Sequence, residues 1–154
     1  MKIRPAQGAD VPGLIQLLAQ LDSFHAEIQP GFFRPAPRTP EELTRELGGP
    51  HHVYLVAEED GRLLGAASVR VHDTPAHPLM VPARRAMLQD MIVDVSARRR
   101  GVGAGLVAAA RTWSQQRGAA VMLLTVWAGN DAAMDFYRAM GLQPVSQVLG
   151  LPLA

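Results

Sequence analysis

The sequence predicts an α/β (α+β) domain: a central mixed, mostly antiparallel sheet flanked by helices, with one parallel strand–helix–strand unit at its centre. Residues 53–58 and 63–71 are two β-rich runs joined by Glu59-Asp60-Gly61-Arg62, a tight hairpin turn. Residues 86–95, 103–116 and 121–127 read as strand, helix and strand, and the span is long enough for a parallel crossover. Helical periodicity precedes the hairpin and follows the crossover, so both sheet faces have a cover.

Each element has a local reason. Residues 2–4 form a short first strand. Asp10 caps a helix that tolerates Pro12 in its first turn, and Leu14, Ile15, Leu17, Leu18 and Leu21 give it an apolar face. Residues 23–40 are rich in Pro, Gly and Phe and read as an irregular loop, with a short helical piece near His25-Ala26-Glu27. A second helix covers 41–47, started by Thr39 or Pro40 and stopped by Gly48-Gly49-Pro50. Residues 72–82 form a polar, proline-rich loop, and Gly118 ends the central helix. Residues 121–127 read as a buried strand, 130–140 as a helix stopped by Gly141, and 143–149 as a last strand.

Composition bounds the function. A chain of 154 residues is one domain, 1–154, and at 48% hydrophobic and 19% charged it can build a core. A net charge of +1 gives no reason to expect nucleic acid or an anionic membrane as partner. The absence of cysteine excludes disulfides, thiolate metal sites and a cysteine nucleophile. His25, His51, His52, His72 and His77 show no metal-ligand spacing, so no metal is expected. The start lacks an apolar signal core, and no apolar run approaches the roughly 20 residues of a membrane span. A soluble, cytoplasmic protein is the expectation.

The most informative stretch is Arg98-Arg99-Arg100-Gly101-Val102-Gly103-Ala104-Gly105, between strand and helix. Glycines permit close backbone approach, a helix start offers free N–H groups, and guanidinium groups match phosphate oxygens. This is an anion site suited to a pyrophosphate. No Gly-Lys-Ser/Thr follows, which excludes a P-loop. A dinucleotide fingerprint is a closer decoy, since residues 103–108 fit G-x-G-x-x-A, but there the first glycine follows the strand almost at once, and here Ser96-Ala97-Arg98-Arg99-Arg100 intervenes. A plain surface turn with solvated arginines is the structural alternative.

Arg98-x-x-Gly101-x-Gly103 after a long strand resembles the acetyl-CoA signature R/Q-x-x-G-x-G/A of the GCN5-related N-acetyltransferase (GNAT) family. The order of elements resembles that family over nearly the whole chain. So does Asn130-Asp131-Ala132-Ala133-Met134-Asp135-Phe136-Tyr137, followed by Gly141 and by Leu142 where Phe is usual. The resemblance implies a GNAT fold whose parallel strands splay at the acetyl-CoA site, and an N-acetyltransferase acting on an amine acceptor. The pantetheine arm lies between those strands and bonds to the backbone of Val93 and Val95. Backbone groups of Arg98, Arg99, Arg100, Gly101, Val102, Gly103 and Ala104 hold the pyrophosphate. Asn130 lies near pantetheine or substrate. Tyr137 lies near the thioester sulfur as a proton donor; on spacing alone it reads as an ordinary packed aromatic. A homodimer is a further family-level expectation.

The base is the open point. Some relatives carry glutamate where Gln89 stands, and an amide cannot accept the proton. Asp90 is adjacent, but strand alternation turns it to the other face unless a bulge intervenes. A structural carboxylate, a water relay or an acceptor of low pKa are the alternatives. Residues 23–37 correspond to the family's acceptor cover, with Glu27 binding a cationic amine and Phe32 or Phe33 walling the pocket; core packing of the aromatics and a solvated Glu27 is the competing reading. A direct attack in a ternary complex is expected, since no nucleophile for an acetyl-enzyme is placed. A non-catalytic acyl-CoA-binding module is the alternative that Gln89 keeps open.

Overall fold

The computed structural model describes residues 1–153. Five strands form one sheet in the order β1 (Lys2–Pro5), β2 (His52–Glu59), β3 (Arg62–Asp73), β4 (Arg84–Val93), β5 (Val121–Leu124). The first four pair antiparallel and β5 joins β4 in parallel. The β2–β3 turn holds Asp60 at φ 51° and Gly61 at φ 76°, the left-handed pair that matches strand twist in a two-residue hairpin.

Two apolar cores sit on the two faces. On one, α1 (Val11–Ile28) and α2 (Pro40–Glu46) cover Tyr54, Val56, Ala66 and Ile92. On the other, α3 (Val102–Gln116) covers Leu55, Ala67, Val69 and Leu88 through Val102, Leu106 and Trp113. The alternation of β2 and β3 sorts these residues. The helix α2 begins as its sequence suggests: Thr39 Oγ1 accepts from Glu42 N–H at 3.3 Å, and Glu42 accepts from Thr39 N–H at 3.0 Å, with Pro40 in the first turn.

Four elements differ from their sequence reading. The helix α1 continues to Ile28 instead of giving way at Ser23, because the glycines and prolines of that stretch begin only at Pro30. The strand β4 ends at Val93, and Val95 lies in a tight turn, Val95–Ala97, with 67% of its surface exposed. Beyond β4 the structure thins. The strand β5 stops at Leu124 and is only half-buried, as an edge strand covered on one side. The helix α4 (Asp131–Ala139) buries no residue fully, and residues 143–153 form no strand.

Candidate active site

The seam between β4 and β5 is the first component. Their pairing runs from Arg85 opposite Val121 to Leu88 opposite Leu124 and stops there. β4 continues through Gln89 to Val93 with no strand beside it on that side. Those backbone groups form an open rail on which an extended, amide-bearing ligand arm can lie as a strand would. The bare Cα of Gly65 supports this end. A Cβ there would stand 2.8 Å from Ile92 O and 3.1 Å from Leu106 and Val102, so Gly65 lets the start of α3 close against the sheet.

The rail leads into the loop that carries Arg98, Arg99 and Arg100 and opens α3. Asp94 caps the Val95–Ala97 turn, accepting from Ser96 N–H at 2.9 Å and from the Ser96 hydroxyl. It also accepts from Gln20 Nε2 at 3.1 Å and from Arg62 at 3.2 Å. The Ser96 hydroxyl, then the Gln20 amide, hold the Asp94 carboxyl down to about 2. The loop then alternates its backbone handedness. Arg98 is extended at φ −65°, Arg99 is left-handed at φ 64°, and Gly101 at φ 79° opens α3. The start of α3 has no side-chain cap and no acidic residue in its first turn, so its N–H groups and positive dipole end face outward unopposed. Arg98 and Arg99 have no ion-pair partner among the described residues, whereas Arg100 pairs with Glu59.

The glycines of the signature divide by role. Gly101 supplies the positive φ, and a Cβ there would meet nothing within 4 Å. A Cβ on Gly103 would stand 3.2 Å from Phe136 and 3.3 Å from Met91. Gly105 faces Ile3 at 2.6 Å, which makes it a helix-packing glycine and not a ligand contact.

Tyr137 sits on α4 against the α3-side core, edge-on to Phe136 with ring centres 5.1 Å apart. Its hydroxyl has no hydrogen-bond partner among the described residues. Burial pushes the phenol up to about 12, so it is protonated at neutral pH. Asn130 is the N-cap of α4, and its Oδ1 accepts from Ala133 N–H at 3.2 Å. It therefore stands just before the helical run that carries Tyr137.

The second component is a cavity of about 370 Å³ between α1, the following loop and β4. A β-bulge shapes it. Ser68 pairs with Asp90 but Val69 pairs with Leu88, so Gln89 is an extra residue in β4. The bulge reverses the alternation, and Gln89 and Asp90 both line the cavity. Arg38 binds Asp22 twice at 2.8 Å and Asp90 at 3.1 and 3.3 Å. The paired carboxylates, Asp22 first, hold the Arg38 guanidinium firmly charged. The aromatic wall is His25 stacked on Phe33 at 5.4 Å, with Phe33 edge-on to Trp127 at 4.8 Å.

Of the residues expected at the acceptor site, Phe33 lines the cavity. Phe32 touches Trp127 from outside and is 70% exposed. Glu27 is exposed and off the cavity, because two residues of helix past His25 turn it to the other side of α1. Asp22 stands where a carboxylate was expected. It shares a helix face with His25 at a spacing of three, a signal hidden while this stretch reads as loop. Arg38 and Trp127 were also missed. A larger depression of about 600 Å³ lies between α1 and the β2–β3 hairpin, but its charged wall is already paired, Arg4 with Asp10 at 2.7 Å and with Glu58 at 3.1 Å.

A strand pair that parts beyond Leu88 and Leu124 and runs into an uncapped helix start, with a cavity at Gln89 and Asp90, has room for the extended donor of an acyl-group transferase. Residues 21–142 match the acetyltransferase (GNAT) family, and the chain belongs to it. It is 32% identical over 108 residues to an aminoglycoside N(6')-acetyltransferase type 1 of Klebsiella aerogenes, covering 70% of each chain. It is 32% identical over 110 residues to the N-alpha-acetyltransferase RimI of Mycobacterium tuberculosis, covering 71% of this chain and 63% of that one. A mutant form of the BH1408 protein of Bacillus halodurans has the same fold, with a TM-score of 0.94 at 24% identity over 100% of both chains.

Proposed function

We propose that the protein is an N-acetyltransferase that moves the acetyl group of acetyl-CoA onto a primary amine by direct attack in a ternary complex. The observation that carries this is the open β4 rail from Gln89 to Val93 ending at the uncapped start of α3. The pantetheine arm bonds along the rail at Val93, and the pyrophosphate rests on Arg98, Arg99, Gly101, Val102, Gly103 and Ala104. Val95, displaced into the turn, contributes at most its backbone there. The free amide nitrogen of Asn130 is available to the same arm.

The acceptor enters through the cavity at Asp22 and Asp90, where its ammonium competes with Arg38 for the two carboxylates and lies against the wall of His25, Phe33 and Trp127. Asp90 takes the ammonium proton, directly or through one water. The amine nitrogen attacks the thioester carbon, and an N–H near Val93 stabilises the oxyanion. The C–S bond then breaks, and Tyr137 gives its phenolic proton to the departing sulfur. The attacking nitrogen loses its second proton to water as the carbonyl re-forms, coenzyme A and the N-acetyl product leave, Asp90 releases its proton to solvent and Tyr137 regains one from it, so the net change is one proton released. The relatives named above are an aminoglycoside N(6')-acetyltransferase and an N-alpha-acetyltransferase, both consistent with such an acceptor.

A non-catalytic acyl-CoA-binding module is favoured by one observation: Gln89 is an amide and Asp90 is tied to Arg38. Thermal unfolding with acetyl-CoA, against NAD as control, tests the shared first step. At 100 times the dissociation constant the ligand stabilises by about 2.7 kcal/mol. No shift would sink both readings. Thiol release with a panel of amines then separates them, and Tyr137→Phe is expected to lower kcat by roughly 10²- to 10⁴-fold while leaving acetyl-CoA binding in place.

A further inference from the structure

We infer that Arg38 is a tethered cation in the acceptor's place: its guanidinium fills the ammonium site at Asp22 and Asp90, and only an amine that displaces it enters. This rests on the acceptor cavity proposed above and makes Arg38 the residue that sets which amines bind. The guanidinium donates to both oxygens of Asp22 at 2.8 Å and to both oxygens of Asp90 at 3.1 and 3.3 Å. Glu42, the third carboxylate on the cavity wall, caps α2 through the Thr39 N–H at 3.0 Å. The chain has thus satisfied, from its own residues, the groups that would bind an ammonium. The aromatic wall is different. Among the described residues no guanidinium stacks on His25, Phe33 or Trp127. The cation site is filled and the wall beside it is bare.

The segment that carries Arg38 is held lightly. At one end, Phe32 and Phe33 N–H close a turn on Gln29 O at 3.0 Å; at the other, Thr39 starts α2. Between them residues 34–38 make no backbone hydrogen bond, Pro35 and Pro37 have no N–H to give, and residues 34–37 are exposed. Arg34, Ala36 and Pro37 line the cavity. Among the described residues, the Arg38 ion pairs are the polar hold of this segment on α1 and β4. An ammonium that takes Asp90 removes half of that hold and frees the carboxylate proposed as the base just as the amine arrives. Opening without a replacement cation would leave two carboxylates unpaired, so a neutral molecule of the same size stays out.

Calorimetric titration with benzylamine in the presence of coenzyme A, which allows no acetyl transfer, reads the site apart from turnover. Apparent affinity falls with the fraction of open sites, so Arg38→Ala is expected to bind benzylamine about tenfold tighter or more than the unaltered chain. Arg38→Lys, whose ammonium cannot hold two carboxylates in a fork, is expected to fall between. Free guanidinium at millimolar concentration then gives the sign. In Arg38→Ala it is expected to compete with benzylamine and return the affinity toward that of the unaltered chain. If Arg38 instead shapes the cavity for the amine, Arg38→Ala binds benzylamine more weakly and guanidinium restores binding. That result would overturn the proposal, as would an unchanged affinity or an Arg38→Ala chain that binds no benzylamine. The expected binding pattern without transfer from acetyl-CoA would uphold the role of Arg38 and end the acetyltransferase reading alone.

Discussion

The sheet is two structures joined at β4. On the side of β1, β2 and β3, strands pair along their length, both faces carry helices, and Leu14, Leu18, Val56 and Leu106 are fully buried. On the side of β5, pairing lasts four residues, α4 buries nothing completely, and the chain ends in exposed apolar residues. The open β4 rail and Tyr137 belong to this second side. A binding slot between strands requires that the strands be apart, and the loosely packed half is what that separation leaves. The antiparallel half supplies the rigid support, down to the Gln20–Asp94 bond that fixes the turn before the anion loop.

The comparison makes the largest prediction one of stability. Leu106→Ala, in the closed half, should cost about 2–5 kcal/mol. Leu124→Ala, on the half-buried β5, should cost about 1 kcal/mol. Melting curves would read these directly, and equal losses would dissolve the distinction between the halves.

A second test divides the signature glycines. Gly101→Ala places a side chain at φ 79° with no steric neighbour, which costs about 1 kcal/mol of backbone strain and should weaken acetyl-CoA binding about tenfold. Gly105→Ala meets only the Cδ1 end of Ile3, which can turn aside, and should leave acetyl-CoA affinity unchanged. Calorimetric titration of both variants checks the split. A large affinity loss in the second would return Gly105 to the ligand site.

The smallest effect is on acid stability. Asp94 titrates at about 2 in the fold against a usual 3.8, so its stabilisation is present above that usual value. It is lost as pH falls from there through about 2. Asp94→Asn should flatten the acid limb in that window and leave neutral stability the smaller by the same amount. An unchanged limb would assign acid sensitivity elsewhere, with Asp10, depressed by Arg4, as the next carboxylate to test.

The legible features were local. The Thr39 helix start, the Asp60-Gly61 turn, the α3 glycines and the apolar face of α1 each follow from a few adjacent residues. The acceptor side was legible only in part. Phe33 was named, but Asp22 was concealed by reading helix as loop, and Arg38 and Trp127 lie far from it in sequence.

What the sequence determined by itself is the element order and the anion loop, because caps, turns and periodicity act over spans of a few residues. Only the tertiary structure decided which way Asp90 faces, since one extra residue at Gln89 reverses the alternation and shows only in the pairing with Ser68 and Val69. It also decided where β5 leaves β4 and that residues 143–153 find no place on their own sheet. Those are outcomes of long-range competition for strand edges, and no short stretch of chain encodes the result.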